Sequence, residues 1–304
     1  RPGNNQRRQH QVQVGLIGID LATEGPIGKG PYATSYVANY RYSFTGLLGD
    51  MGVDFGGEEI RFQDFNLHLH QPLKNGGEIS LFGIGGQSSN EFTPPTDRDE
   101  VTEEKELFNI DFDSKFGVVG STYRQRIGAG ELNLGVAYST TNSEREQSSG
   151  PLEIPSSDFA YTRELRMDRV SGNAGYQFEL TTRSNLKAGF ELFGEATNND
   201  SYYPFTNART DYQEFVYSPY LNYVYRADRW RYSAGLRYAV YSERFSSGVL
   251  EPRLAITHYS GKSSYTLGLE GTSQLPTYAL LDFFNPSSTE VSAPVTYQAN
   301  LSWK

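Results

Sequence analysis

Cysteine is absent from the 304 residues. That excludes a disulfide-stapled fold, a thiolate metal centre and a cysteine nucleophile. Methionine and tryptophan are scarce, two of each. Long apolar runs are missing as well: mean hydropathy is −0.57, and no stretch approaches the ~20 residues of a membrane-crossing helix. This excludes a helical membrane protein but not a β-barrel, in which only alternate residues face lipid. Basic patches are lacking, and the net charge of −9 argues against nucleic-acid binding. The first residues, Arg1 to His10, are charged without an apolar core, so they form no signal peptide. The expectation is a processed chain, or one whose beginning lies elsewhere, with residues 1–10 as a linker and 11–304 as the folded part.

What is abundant is aromatic: 22 Tyr and 18 Phe, alongside 31 Gly. Tyrosine pairs an apolar ring with a polar tip, which suits strands and a membrane–water boundary. Apolar and polar residues alternate with a period of two in segment after segment. Leu132, Leu134, Val136 and Tyr138 share one face against Asn133, Gly135, Ala137 and Ser139. Leu186, Ala188, Phe190 and Leu192 oppose Lys187, Gly189 and Glu191. Trp230 to Val240 and Val295 to Trp303 repeat the pattern. A helix would scatter these apolar sets around its circumference; a strand gathers them on one face.

The spacing predicts roughly twelve antiparallel strands. Short turns near Glu24–Gly30, Leu73–Gly77, Gly128–Gly130, Thr181–Asn185, Arg226–Arg229 and Ser260–Ser263 alternate with mostly longer polar connections. Those fall at Phe44–Phe55, Gln87–Glu104, Glu144–Asp158, Asn199–Asp211 and Gln274–Ala293; only Arg244–Gly248 is short. Short turns on one rim and long loops on the other indicate an all-β, antiparallel transmembrane β-barrel meander. Charges gather on the faces opposite the apolar ones. Because Arg or Lys at the bilayer midplane costs ~2–4 kcal/mol, the charged face points into a lumen. Asn39, Arg41, Asp64, His68, His70, Glu251 and Arg253 are the lumen-facing candidates, with Glu251 and Arg253 read as a structural charge pair or as contacts to an enclosed domain.

Enzymatic chemistry finds little support. His68 and His70 share a strand face with Asp64, but no third or fourth metal ligand is visible, and no serine nucleophile sits in a strained turn. No metal, cofactor or catalytic residue is expected. Gly25-Pro26-Ile27-Gly28-Lys29-Gly30 resembles a phosphate loop only superficially, since Thr23 stands where its first glycine belongs; it reads as a turn. The acidic stretch Glu91–Glu106 lacks the ordering of a calcium loop. Leu275–Asn285 is unusually apolar for a loop and reads first as a short helix over the barrel mouth, with part of a ligand-binding surface as the alternative.

Several words in the chain resemble TonB-dependent receptors of the Bacteroidetes type. Val14-Gly15-Leu16-Ile17-Gly18-Ile19-Asp20, then Glu24-Gly25-Pro26 and Ala38-Asn39-Tyr40-Arg41-Tyr42-Ser43, resemble that family's first barrel strands. Gln63-Asp64-Phe65-Asn66-Leu67 and Ser80-Leu81-Phe82-Gly83-Ile84-Gly85-Gly86 resemble its next hairpin. Leu250-Glu251-Pro252-Arg253-Leu254 with Thr272-Ser273-Gln274 is similar to its mid-barrel signature. The resemblance implies a barrel of about 22 strands, a plug domain inside it, the TonB energising complex as partner, and uptake of a metal chelate, vitamin, glycan or peptide across the outer membrane of a Gram-negative bacterium. This chain lacks the plug, the TonB-contacting segment and a terminal strand ending in an aromatic residue, so it is expected to be part of such a wall. Competing readings are a complete twelve-stranded passive channel, an outer-membrane hydrolase using His68, His70 and Asp64, and a soluble all-β binding protein.

Overall fold

An extended backbone points its N–H and C=O groups sideways, so every strand needs neighbours along its length. In the computed structural model these neighbours come in strict chain order. The structure describes residues 2–15, 18–43, 45, 48, 52, 58–152, 160–203, 207–241, 248–273 and 295–303. Among these residues fourteen strands form one antiparallel sheet, β1 to β14, with no crossover. The first seven are β1 (Gln9–Val14), β2 (Gly18–Ile27), β3 (Thr34–Ser43), β4 (Glu58–Pro72), β5 (Glu78–Phe92), β6 (Phe108–Ile127) and β7 (Gly130–Ser149). The rest are β8 (Tyr161–Thr181), β9 (Ser184–Tyr202), β10 (Asn207–Arg226), β11 (Trp230–Tyr241), β12 (Gly248–Ser260), β13 (Ser263–Ser273) and β14 (Val295–Trp303).

The count exceeds the predicted twelve partly because Val14–Asp20 reads as one apolar stretch. The Gly15 N–H instead donates to the Gly18 carbonyl at 2.9 Å and reverses the chain. Gln9–Val14 thereby becomes a separate strand, paired from Gln9↔Glu24 to Val14↔Ile19. Strand lengths differ as well. Residues of the expected loops at 87–104, 144–158 and 199–211 extend β5, β7, β9 and β10, and β8 reaches 21 residues. A tilted strand crosses a bilayer in ~9–11 residues. Beyond that length both faces are polar, so the alternation signal vanishes while the ladder continues, as in Glu144↔Glu164.

On the turn rim, Asn75-Gly76 closes the β4–β5 hairpin. Gly76 has φ of +79°, a left-handed conformation that glycine adopts without steric cost; its N–H donates to the Leu73 carbonyl at 3.1 Å. The Gly25–Gly30 segment is strand as far as Ile27, paired with β3. Only then does it turn, at Gly28 and Gly30.

Directly paired residues project to the same side of a sheet, so the register traces each face across the molecule. One row runs Arg41↔Asp64↔Gly86↔Phe116↔Thr141↔Met167↔Thr197↔Tyr212 from β3 to β10. The opposite face carries the apolar sets, including Val136 at 56%, Leu221 at 48% and Leu254 at 53% exposure. Buried hydrophobic packing among the described residues is a small patch, Val216, Ala239 and Tyr241, backed by Phe193 and Val249. Soluble monomers rarely expose a continuous apolar patch beyond a few hundred Å², and here one face is apolar from strand to strand. Near the turn rim Trp230 stacks on Tyr232 and lies 4.4 Å from the His258 ring, while Tyr232 stacks on Tyr225. Such amphipathic rings collect where lipid meets water.

Candidate functional site

β3 and β4 bring the first group of candidates together on the charged face. Their register pairs Asn39 with Asn66, Arg41 with Asp64, His68 with Val37 and His70 with Ser35. The Arg41 guanidinium grips Asp64 through Nε at 2.9 and 3.1 Å and Nη2 at 2.9 Å. Arg41 is 55% exposed, so solvent screening keeps this pair to about 1 kcal/mol or less. Asn39 donates to Asp20 Oδ1 at 2.6 Å and accepts from Asn66 at 3.1 Å, which links β2, β3 and β4. His70 Nδ1 lies 3.2 Å from Ser80 Oγ, and its Nε2 lies 3.9 Å from Glu78, which binds Arg124 at 2.5 Å. His68 Nδ1 has no hydrogen-bond partner among the described residues. Among those residues, no three of His, Asp and Glu gather closely enough to hold a metal ion.

Glu251 and Arg253 occupy the same face on β12 and belong to a second network. The Glu251 carboxylate is fully buried. Its Oε2 accepts from Arg237 Nη1 at 2.8 Å, and its Oε1 accepts from the Ser273 N–H at 2.7 Å and the Ser273 hydroxyl at 2.5 Å. Arg237 also reaches Glu191 at 3.2 Å, and the Tyr241 hydroxyl meets Ser273 Oγ at 2.7 Å. A buried carboxylate persists only when its charge is paired and its oxygens accept hydrogen bonds; here both oxygens do.

Arg253 stands 3.9 Å from Glu251 and is 48% exposed. Arg237, from the neighbouring strand, is the closer partner, and the sequence does not single it out. Residues two apart on a strand are ~6.6 Å apart along it, whereas cross-strand Cβ atoms are ~5 Å apart. Only the register Arg237↔Glu251 reveals the pair. Ser273 is missed for the same reason.

On the loop rim, the acidic stretch after β5 spends carboxylates on its own backbone. Two 3-10 turns form, at Arg98–Glu100 and Glu104–Leu107. Asp97 accepts from the Asp99 N–H at 3.0 Å, and Glu106 accepts from the N–H groups of Thr102 at 2.5 Å and Glu103 at 3.0 Å. These donors, Thr102 first, hold the Glu106 carboxyl below its usual range. The apolar tract 275–285 lies outside the described residues.

No protein-family model and no curated protein matches the sequence. Solved structures do. The copper transporter OprC superposes with a TM-score of 0.69 at 12% identity, over 100% of this chain and 53% of its own. FpvA of P. aeruginosa, solved with pyoverdine and iron, gives 0.68 at 13% identity over 93% of this chain and 44% of its own. BauA, the ferric preacinetobactin receptor of Acinetobacter baumannii, gives 0.64 at 13% identity over 97% and 51%. The chain therefore spans about half the length of these proteins. At such identity the likeness is one of fold, and that fold is the antiparallel strand wall of an outer-membrane β-barrel.

Proposed function

We propose that these strands form part of the barrel wall of a TonB-dependent receptor in a Gram-negative outer membrane, importing a scarce nutrient such as a metal chelate, vitamin, glycan or peptide. The observation that carries the reading is the division of faces across the whole sheet. One face is apolar and exposed; the other holds Arg41–Asp64 and Arg237–Glu251. A barrel wall between lipid and a wet or filled lumen needs that division. The fold shared with siderophore and copper receptors supports the transport class.

A plug within the lumen is part of the proposal. Its support is the path of the N-terminal segment, which lies against the charged face. The Asn4 N–H donates to Glu24 at 3.0 Å, and Gly3 is so close to the Tyr36 carbonyl and Val37 that a Cβ would collide. Asn39, Arg41, Asp64, His68, His70, Glu251 and Arg253 then line the lumen as wall residues, and no step of catalysis is assigned to them. The passive twelve-stranded channel fits less well: among the described residues β1 and β14 each pair on one side only, and lipid does not tolerate an open sheet edge. The test is uptake by cells carrying the full-length receptor under nutrient limitation. Uptake is expected to stop when the TonB complex is removed. Undiminished uptake without that complex would refute the proposal and favour a passive channel.

A further inference from the structure

The inner face changes character above the row that holds Arg169, Glu195 and Glu214. On β6 to β9 the next three rows toward the loop rim are Phe116↔Thr141↔Met167↔Thr197, Ser114↔Ser143↔Leu165↔Asn199 and Phe112↔Arg145↔Arg163↔Ser201. None of these residues is a carboxylate, and in the last row arginine stands directly opposite arginine, an arrangement that by itself destabilises a sheet. On the outward face at the same level Glu144 opposes Glu164, with Asp113 opposite Glu144. Over one stretch of strand the wall is therefore cationic inside and anionic outside.

Arg145 is the inward cation without a counter-charge. It is half-buried, its Nε is enclosed without a hydrogen-bond partner, and no ion pair engages it among the described residues. Deeper on this face Arg169 is held by Glu195 at 2.5 Å and Arg237 by Glu251 at 2.8 Å. Arg163 is tied through Nε to Asn199 Oδ1 at 2.8 Å, which keeps a second cation beside Arg145. Glu144 and Glu164 extend into water from the far side of the sheet. Side chains extended to opposite faces set their charges further apart than the Debye length of ~8 Å, so those carboxylates neutralise Arg145 little. Phe112, its direct partner on β6, is 36% exposed to the lumen. Phe116, ~13 Å deeper on the same strand face, is 40% exposed, with its ring laid over Gly86.

We propose that Arg145 and Phe112 form a subsite at the lumen mouth for an anion that carries an aromatic ring, and that the imported nutrient belongs to this class. The inference rests on the receptor reading above and narrows it, setting aside neutral glycans and cationic peptides. A guanidinium whose Nε is enclosed still offers its two Nη groups end-on, the bidentate geometry that suits a carboxylate, sulfonate or phenolate pair. A half-buried cation without a counter-charge is costly, and a ligand anion relieves that cost without breaking any contact of the wall. Phe112 supplies the flat apolar surface on which an aromatic ring stacks beside the charge. The carboxylates outside repel the same anion, so the attraction is confined to the lumen side.

The test uses the full-length receptor in nanodiscs of zwitterionic lipid, with pyrene tetrasulfonate, a fluorescent aromatic anion, as the probe and anisotropy as the readout. Wild type is expected to bind the probe and to release it to benzene tricarboxylate. Cyclohexane tricarboxylate, with the same charge and no aromatic ring, should compete about threefold less well, and benzene tricarboxamide, with the ring and no charge, at least tenfold less well. These comparisons need no substitution. Arg145→Gln should weaken probe binding about tenfold and Phe112→Ala about threefold. Arg166→Gln, one strand away on the outward face, should stay within about twofold of wild type. Equal competition by the tricarboxamide and the tricarboxylate overturns the proposal, as does wild-type affinity in Arg145→Gln or an equal loss in Arg166→Gln. Uptake that persists without the TonB complex would instead overturn the receptor reading, and Arg145-dependent binding of the probe would still support the subsite.

Discussion

Replacing Glu251 with alanine tests the inner-wall network most sharply. The substitution removes acceptors from Arg237 Nη1 and from both the N–H and the hydroxyl of Ser273. Breaking a buried ion pair by deleting one partner costs about 3–5 kcal/mol. Arg237 is 22% exposed and keeps Glu191 at 3.2 Å, so the lower end applies, about 3 kcal/mol. Glu251→Gln retains shape and an acceptor for Ser273 but loses the charge, and should cost about 1–2 kcal/mol. Arg253→Ala removes a 48% exposed group 3.9 Å away and should cost less than about 1 kcal/mol. The assay is urea unfolding of the full-length receptor in lipid vesicles, followed by tryptophan fluorescence. A double-mutant cycle should give Glu251 and Arg237 a coupling of about 2 kcal/mol, within the range seen for residues sharing a network. The reasoning fails if Glu251→Ala stays within about 0.5 kcal/mol of wild type, or if Glu251 couples more strongly to Arg253 than to Arg237.

Leu221→Arg places a charge midway along the outward apolar run of β10 and should destabilise the membrane-embedded receptor by about 2–4 kcal/mol. Asn222→Arg, one residue on and facing inward, should cost under about 1 kcal/mol; equal effects in vesicle unfolding would refute the face assignment. Gly189→Ala would set a Cβ 2.4 Å from the Tyr220 hydroxyl and 2.5 Å from the Ala174 carbonyl, at a cost of about 1–3 kcal/mol. Gly117→Ala meets nothing nearer than 3.8 Å and should be neutral within about 0.5 kcal/mol, as the same unfolding measurement would show. The Glu106 carboxyl is held low by backbone donors, so its contribution is complete above the unfolded carboxylate pKa and is lost as pH falls through the lowered folded value. Protection of the Thr102 and Glu103 amides from hydrogen exchange, measured against their intrinsic rates at each pH, should fall over that acid window in wild type, and a Glu106→Gln variant should lack the transition.

Strand character and face assignment were legible because lipid imposes a rule on alternate residues. Leu186, Ala188, Phe190 and Leu192 could not all be outward without Lys187, Gly189 and Glu191 being inward. The short turns were legible from Asn75-Gly76 and Gly128, where a positive φ is required. Legibility ended where the rule ended. Past the apolar band nothing forces alternation, so the outer third of β7 to β10 read as loop although Arg166↔Asn198 and its neighbours remain paired. The break after Val14 was hidden because Gly15 reverses the chain within an apolar stretch. Partner choice was hidden too, since a one-dimensional reading puts Arg253 beside Glu251 and the ladder puts Arg237 there.

The charged inner face is largely neutralised by its own pairs. Arg41 is held by Asp64, Arg124 by Glu78, Arg169 by Glu195, and Arg237 by both Glu251 and Glu191. A group already bonded to the wall can turn to a passing ligand only by giving up that bond, which costs roughly 1.5–3 kcal/mol for a charged hydrogen bond. On the proposed reading, these residues set the shape and stiffness of the wall, and a nutrient meets little unpaired charge along them. His68 is placed differently: it faces the same side, and its Nδ1 has no partner among the described residues. That nitrogen is buried in the wall, so it meets a ligand or an enclosed domain only when the ring turns out of its present position. His68→Ala removes a buried polar atom without a partner among the described residues and should change stability little; altered binding by the full-length receptor would show that the ring turns to the lumen, whereas Arg41→Ala should leave binding unchanged. Ligand titration of both variants, alongside vesicle unfolding, separates the two roles, and equal affinities in wild type and His68→Ala would remove His68 from the site.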